Sequence, residues 1–150
     1  LIEAERGGNM PSGNIVIGTI GADAHMIGAW VLHKALGAAG FNVTFLGAVV
    51  PQEDFINAAI ETNADAILVS SMYGMGILDC EGFRDKCIEA GLEDILLYAG
   101  GTVAAPLELE QNWPKIEQRF NEMGFNRVYP NTVTVEEVIA ALKSDLGMKD

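Results

Sequence analysis

Short apolar runs alternate with helical stripes of apolar residues along this chain. Continuous apolar or β-branched runs predict strands, because a parallel strand covered on both faces carries few polar positions. Apolar residues that recur at three- and four-residue spacing predict amphipathic helices. The predicted strands are residues 14–20, 42–46, 65–69, 95–98 and 127–129, and the predicted helices are residues 26–39, 51–63, 77–90, 113–124 and 135–146.

This strict alternation is typical of a doubly wound α/β fold, since each helix carries the chain from one parallel strand to the next. We predict a flavodoxin-like, five-stranded parallel sheet in the order 2-1-3-4-5 with helices on both faces. Thr134 and Glu137 have the spacing of a capping box before the last helix, whose apolar stripe leaves Lys143, Asp145 and Lys149 mostly solvated. Residues 13–150 are predicted to form one domain, and residues 1–12, which have no sustained period, a tail or linker.

Composition excludes several classes of protein. A net charge of −12 disfavours nucleic acid as a partner, because affinity for nucleic acid depends on lysine and arginine. The sequence has no run of 18 apolar residues and no signal-peptide pattern, so we expect no membrane span and a soluble, cytoplasmic protein. The spacing of Cys80 and Cys87 suits neither a zinc site nor a disulfide framework, which predicts two thiols at the edge of the core.

The predicted strand order brings three turns to one crevice. Ligands of doubly wound sheets bind where the strand order reverses, here between the first and third strands. The turn with Asp23 and His25 would face the turn that begins at Ser70, and the pair Gly100 and Gly101 would lie beside it. A binding site is therefore expected at this edge of the sheet.

Asp23 and His25 have the chemistry of a metal ligand and its orienting acid. The Asp23 carboxylate could accept the Nδ1 proton of His25, which would leave Nε2 free to bind a metal. One imidazole cannot hold a bare ion against water, so the metal would arrive already chelated, as in a macrocyclic cofactor. Two alternatives remain. One is a catalytic triad of Ser70, His25 and Asp23, although the Gly-x-Ser-x-Gly elbow is absent from the sequence. The other is a phosphate-binding site, although no phosphate-binding glycine motif is present.

Small residues give the first helix little bulk. They predict either a narrow slot between this helix and the sheet, which could admit a long ligand tail, or close packing of the helix on the sheet. His33, in the same helix, has no evident partner and is interpreted as a surface or packing residue. The small residues are Gly28, Gly37, Ala38, Ala39 and Gly40.

Three motifs resemble the cobalamin-binding domains of B12-dependent mutases and methyltransferases. The motifs are Asp23-x-His25-x-x-Gly28, Ser70-x-Met72 and Gly100-Gly101. Longer strings, at residues 40–43, 64–71 and 113–114, resemble more narrowly the small subunits of glutamate mutase, also called methylaspartate mutase. The match extends over residues 14–146. The chain departs from the family pattern at two places. Position 72 is methionine where the family usually has leucine, and the amino-acid sequence of residues 102–106 differs from the family pattern.

The resemblance implies a base-off, His-on adenosylcobalamin. His25 would be the lower axial ligand of cobalt, Asp23 would hydrogen-bond the back of its imidazole, and the displaced nucleotide tail would enter the slot. The residues implied to contact the cofactor are Ala22, Asp23, Ala24, His25, Met26, Gly28, Ser70, Ser71, Met72, Gly100, Gly101, Thr102, Val103, Ala104, Ala105 and Pro106.

The resemblance also implies a function shared between two chains. A large TIM-barrel subunit would bind glutamate, and the assembled isomerase would convert L-glutamate to 3-methylaspartate by a radical rearrangement. The small chain would bind cobalamin, contribute no catalytic residue of its own and be inactive alone. Two alternatives remain: the small subunit of an acyl-CoA mutase, and a corrinoid carrier or cobalamin sensor.

Overall fold

The computed structural model describes residues 13–20, 27–71, 76–101, 106–130 and 132–148. Residues 1–12 lie outside these ranges, so the predicted tail stays a prediction. The elements are β1 (Asn14–Thr19), α1 (Ile27–Ala38), β2 (Asn42–Phe45), α2 (Gln52–Thr62), β3 (Ala66–Ser71), α3 (Gly76–Asp79), α4 (Phe83–Glu89), β4 (Leu96–Gly101), α5 (Pro106–Glu122), β5 (Arg127–Val128) and α6 (Val135–Asp145).

The five strands form one parallel sheet in the order β2-β1-β3-β4-β5, which confirms the predicted fold class and strand order. Side chains alternate between the two faces of each strand. On one face, Val16 and Ile67 share a buried cluster with residues of α2, α4 and α5. On the other face, Ile17 and Leu68 share a cluster with α1 and α6. The sheet therefore separates two apolar layers of different composition.

The predicted third helix is wrong as one element, because the structure divides it into α3 and α4. Gly82, directly before α4, has a φ of +76°, a left-handed conformation that glycine adopts without strain. The Gln52 side-chain amide, from the start of α2, donates to the carbonyl oxygens of Asp79 and Glu81 at 2.7 and 2.9 Å. It thus supplies a donor to two backbone carbonyls at the break between the two helices.

The helix after β4 begins earlier than predicted, at Pro106 rather than near Trp113. It is interrupted at Asn112, whose φ of −129° is not helical. The predicted helix is thus the second of two segments. Pro114 lies in the first turn of that segment, where the missing N–H of proline removes no helical hydrogen bond.

Two smaller predictions about packing can be compared with the structure. Cys80 and Cys87 are thiols, as predicted, but both are fully buried within the core rather than at its edge, and burial raises the pKa of Cys87 to about 11. His33 packs as an aromatic residue, because its ring stacks on Phe45 with centroids 5.2 Å apart and meets Trp30 edge-on. None of the helices within the described ranges has the length and apolar character needed to cross a membrane.

The last helix confirms the predicted cap but not the predicted solvation of Asp145. Thr134 Oγ1 accepts a hydrogen bond from the Glu137 amide at 3.2 Å. The Asp145 carboxylate is bound by two guanidinium nitrogens of Arg127, at 2.8 and 2.9 Å, and accepts a hydrogen bond from the Tyr98 hydroxyl. Its side chain is only 22% exposed. The carboxylate therefore ties α6 to β4 and β5.

These contacts make the stability of the fold depend on pH. The hydrogen bonds from Arg127 lower the pKa of Asp145, with a smaller contribution from Tyr98. A carboxyl whose pKa is lowered by folding stabilises the protein above its ordinary pKa of about 3.9 and loses that contribution as the pH falls. We expect Asp145→Asn to lower the free energy of unfolding by about 1 kcal/mol at pH 7, a figure limited by solvent screening. The difference from the wild type should shrink below about pH 4.

Urea unfolding at pH 7 and pH 3 measures this difference. Glu136→Gln, an exposed position on the same helix, is the matched control and should change stability little at either pH. Equal destabilisation by Asp145→Asn at both pH values would contradict the role of the charge.

Candidate functional site

The carboxyl ends of β1, β3 and β4 lie side by side at the point where the strand order reverses. Thr19 pairs with Ser70 in the parallel register, and Ser70 pairs in turn with Gly100. Ser71 pairs with Gly101 at the last position of both strands. The structure therefore brings together the described parts of the predicted site at one crevice.

Most of the first predicted motif, the Met72 position of the second, and most of the loop after the third lie outside the described residues. This holds for the five residues Ala22, Asp23, Ala24, His25 and Met26, for Met72, and for Thr102, Val103, Ala104 and Ala105. The flanking residues are described: Ile20 follows β1 and pairs with Val50, Gly28 belongs to α1, and Pro106 begins α5. The roles of the metal ligand and its orienting acid thus remain predictions from the sequence.

A cavity of about 230 Å³ lies between α1, α6 and the carboxyl half of the sheet. Ala29 and Leu32 contribute the wall from α1, so the slot predicted beside this helix is present. Gly37 and Ala38, which contributed to that prediction, are exposed and do not line it. The lining residues are Ile17, Ala29, Leu32, Leu68, Val69, Ser70, Tyr98, Ala99, Gly100, Tyr129, Val133, Thr134, Val135 and Val138.

The size and lining of this cavity suit a flat aromatic group. Apolar cavities of about 150 Å³ bind benzene, so a cavity of about 230 Å³ has room for a fused pair of rings. Its lining is mostly aliphatic, with a few hydroxyl groups that could orient a ligand, those of Ser70, Thr134 and Tyr129 among them.

Four residues at the site were not predicted from the sequence. Tyr129 and Val133 lie between β5 and α6, and Val138 lies in α6. These segments carry no motif, so only the folded chain brings the three residues to the cavity. Thr19 is fully buried at the end of β1, and its Oγ1 has no hydrogen-bond partner among the described residues. Thr19 could have been recognised in the sequence as a candidate site residue, because it is a polar residue at the end of an apolar strand.

Unpartnered polar atoms cluster around the crevice. Besides Thr19, the Ser71 hydroxyl and the Tyr129 hydroxyl are buried without a hydrogen-bond partner in the described part of the chain. Burial also raises the pKa of the Tyr129 hydroxyl, which keeps it protonated and able to donate. Because unsatisfied buried groups are costly, hydroxyls at the ends of β1, β3 and β5 favour a polar ligand that completes their hydrogen bonds.

The position of a side chain at Gly100 is not occupied by other protein atoms. A Cβ added there would meet Tyr129 at 3.9 Å, an ordinary contact, and the backbone of Gly100 has no left-handed φ. By contrast, a Cβ at Gly18 would meet Leu46 Cβ at 3.2 Å and Phe55 at 3.3 Å, so that glycine serves internal packing. The missing side chain at Gly100 therefore enlarges the cavity.

We expect Gly100→Ala to weaken binding of the ligand without destabilising the fold. An extra methyl group in a filled cavity costs about 1–3 kcal/mol, or roughly tenfold in affinity, while the midpoint of thermal unfolding should change little. Gly37→Ala, at an exposed position of α1 with nothing within 4 Å of the added Cβ, is the control. Spectroscopic titration with cobalamin measures the affinity, and an unchanged affinity would show that no ligand group reaches Gly100.

Comparisons with known proteins agree with the motifs. A family model described as "B12 binding domain" matches residues 13–118. The glutamate mutase sigma subunit of Clostridium tetani is 54% identical over 140 residues, which cover 93% of this chain and 100% of that protein. The chain belongs to the glutamate mutase sigma subunit family and contains a B12-binding domain. The family resemblance predicted from the sequence is therefore confirmed.

Two further comparisons extend this result. The glutamate mutase sigma subunit of Fusobacterium nucleatum subsp. nucleatum is 52% identical over 136 residues, or 91% of this chain and 98% of that protein. The crystal structure of a novel cobalamin-binding protein from Desulfitobacterium hafniense DCB-2 matches with a TM-score of 0.69. It covers 87% of this chain and 58% of that chain at 20% identity, a level that supports the shared fold alone.

Proposed function

We propose that this chain is the cobalamin-binding subunit of an adenosylcobalamin-dependent glutamate mutase, the isomerase that interconverts L-glutamate and 3-methylaspartate. The observation that carries this proposal is the 54% identity across the full length of a glutamate mutase sigma subunit. A B12-binding domain over residues 13–118 supports the choice of cofactor. A cytoplasmic location is part of the same proposal.

In this proposal, His25 binds the cobalt and Asp23 orients its imidazole. A carboxylate that accepts the Nδ1 proton of a histidine fixes the tautomer and raises the basicity of Nε2. The displaced nucleotide tail would then enter the cavity beside α1, where Gly100 leaves room and Ser70 offers a hydroxyl. When bound, adenosylcobalamin supplies the radical that abstracts hydrogen from the substrate. The protein chain holds and orients the cofactor.

The substrate is proposed to bind to a second, larger subunit with a TIM-barrel fold. Recognition of the two carboxylates of glutamate calls for arginine, which binds carboxylates through two parallel hydrogen bonds. Each arginine in the described ranges already makes structural contacts: Arg84 with Gly124 and Asn126, Arg119 with Glu81, and Arg127 with Asp145. The described part of this chain thus offers no free guanidinium to the substrate, which favours a site on the partner.

Two measurements test the proposal. Titration of the purified chain with adenosylcobalamin should change its visible spectrum to that of a base-off cofactor with a histidine ligand. Addition of the large subunit and L-glutamate should then produce 3-methylaspartate, with no product when either chain is omitted. A wild-type chain that leaves the cobalamin spectrum unchanged would overturn the cofactor assignment.

The alternatives predict different products. An acyl-CoA mutase subunit would support isomerisation of an acyl-CoA and form no methylaspartate, whereas a carrier or sensor would bind cobalamin and support neither reaction. Full-length identity to glutamate mutase sigma subunits favours glutamate as the substrate.

A further inference from the structure

We propose that Thr19 positions the nucleotide tail of the cofactor by fixing the hydroxyl of Ser70, which lines the cavity. The inference rests on the proposed function, since it takes the tail of cobalamin as the occupant of the cavity. Thr19 is the last residue of β1 and is fully buried, and its Oγ1 has no hydrogen-bond partner in the described part of the chain. Its hydroxyl is therefore a donor that the chain alone leaves unused.

Both backbone groups of Thr19 are satisfied, so only its hydroxyl lacks a partner. Its amide donates to the Gly47 carbonyl oxygen, and its carbonyl oxygen accepts from the Val50 amide, both at 2.9 Å. On the other side of the strand, the Ile20 amide donates to the Ser70 carbonyl oxygen at 3.1 Å, which keeps β1 and β3 in register beyond Thr19. The position of the Thr19 side chain is thus fixed by backbone hydrogen bonds to both neighbours.

The side chains of Thr19 and Ser70 lie on the same face of the sheet, on neighbouring strands. The two residues are direct partners in the parallel register. Because side chains alternate along a strand, Thr19 faces the same layer as Ile17, and Ser70 the same layer as Leu68, which is the layer that contains α1 and the cavity. Neighbouring strands are about 4.8 Å apart, and threonine and serine at paired positions form hydrogen bonds across a sheet. Rotation about the two Cα–Cβ bonds can therefore bring these hydroxyls within hydrogen-bonding distance.

The two hydroxyls differ in their access to a ligand. Ser70 lines the cavity and Thr19 does not, so Thr19 would act on a ligand through Ser70. A serine hydroxyl has one proton and rotates, so its direction is undefined until a neighbour fixes it. When Thr19 donates to Ser70 Oγ, the Ser70 proton is left to donate to an acceptor in the cavity. A base released from cobalt offers such an acceptor, the ring nitrogen lone pair that had bound the metal.

The choice of threonine at this position destabilises the isolated chain. Valine has nearly the same shape, is favoured in strands and would leave no buried hydroxyl without a partner. Hydrogen bonds that form a chain strengthen one another in a buried site of low dielectric constant. We infer that the tail completes such a chain, from Thr19 through Ser70 to the ligand, and so offsets the cost of the buried hydroxyl.

The test uses three variants of the isolated chain and two corrinoids. Thr19→Val should weaken binding of adenosylcobalamin about five- to tenfold, the effect of one lost hydrogen bond in a buried site. Thr19→Ser keeps the hydroxyl and should bind with nearly the affinity of the wild type. Thr44→Val makes the same change on β2, outside the cavity, and is the matched control. Adenosylcobinamide, which lacks the nucleotide tail, should bind equally well to the wild type and all three variants.

A double-mutant cycle tests whether Thr19 acts through Ser70. Ser70→Ala should weaken binding of adenosylcobalamin by itself, and Thr19→Val should then have almost no further effect, since the two hydroxyls belong to one chain of hydrogen bonds. Equal effects of Thr19→Val with and without the Ser70 hydroxyl would show independent contacts and overturn the proposal.

Thermal unfolding without cofactor separates this role from a structural one. Thr19→Val should raise the midpoint of unfolding by about 2–4 °C, since it removes a buried hydroxyl that has no partner. A lower midpoint, or an equal loss of affinity for adenosylcobalamin and adenosylcobinamide, would overturn the proposal, because Thr19 would then support the fold or the corrin itself. Cobalamin affinity equal to that of Thr44→Val would also overturn it. A wild-type chain that leaves the cobalamin spectrum unchanged would instead count against the proposed function.

Discussion

His25→Ala is expected to abolish the spectral change that cobalamin undergoes on binding and to lower its affinity at least 100-fold. The proposed role of His25 is to bind the cobalt directly. Loss of a residue that only orients a metal ligand typically costs 10–100-fold, and loss of the ligand itself should cost more. Visible spectroscopy of the isolated chain measures both effects without the partner subunit.

Two further variants make this prediction specific. Asp23→Asn should keep the histidine-bound spectrum and weaken affinity by about 10–100-fold, because the imidazole loses its orienting carboxylate. His33→Ala removes the other histidine of the chain, which packs against Trp30 and Phe45, and should leave the cobalamin spectrum unchanged. An unchanged spectrum with His25→Ala would show that another group, or none, binds the cobalt.

Ala29→Leu is expected to produce the second largest effect on cofactor binding. Ala29 is 2% exposed and lines the cavity from α1. Three added carbon atoms would occupy space proposed for the nucleotide tail. At about 0.8 kcal/mol for each buried methylene, displacement of an equal part of the tail costs about 2–3 kcal/mol, or roughly 100-fold in affinity.

The midpoint of unfolding of the Ala29→Leu variant shows whether weaker cobalamin binding results from a filled cavity or from a destabilised fold. Filling an empty apolar cavity should leave the midpoint of unfolding unchanged or raise it. Ala35→Leu makes the same change on the same helix at a partly exposed position outside the cavity, and it should leave cobalamin binding as in the wild type. Normal cobalamin affinity in the Ala29→Leu variant would place the tail elsewhere.

The sequence predicted those features that depend on local pattern or on general rules of topology. Apolar runs located the strands, and the alternation with helices was enough to predict their order. That order placed Ser70 beside Gly100, as the register of β3 and β4 confirms. The cap at Thr134 was predictable because it depends on residues three positions apart.

Features that depend on distant contacts were not predictable in this way. Cys80, Phe83 and Cys87 keep a helical spacing through the break between α3 and α4, so periodicity could not reveal it. Gln52, whose amide donates to a carbonyl oxygen at this break, lies almost 30 residues earlier in the chain. Likewise, the wall of the cavity formed by Tyr129 and α6 carries no ligand-binding motif and is recognisable only after folding.

The position of α6 has a consequence for the choice of a minimal fragment. The matched B12-binding region ends at residue 118, whereas Tyr129 and Val138, which line the cavity, lie beyond it. A protein truncated at residue 118 would lack the Asp145 carboxylate that receives the Tyr98 hydroxyl, and it would expose the apolar face of β4 to water. The shortest fragment that keeps all the described walls of the cavity therefore extends into α6.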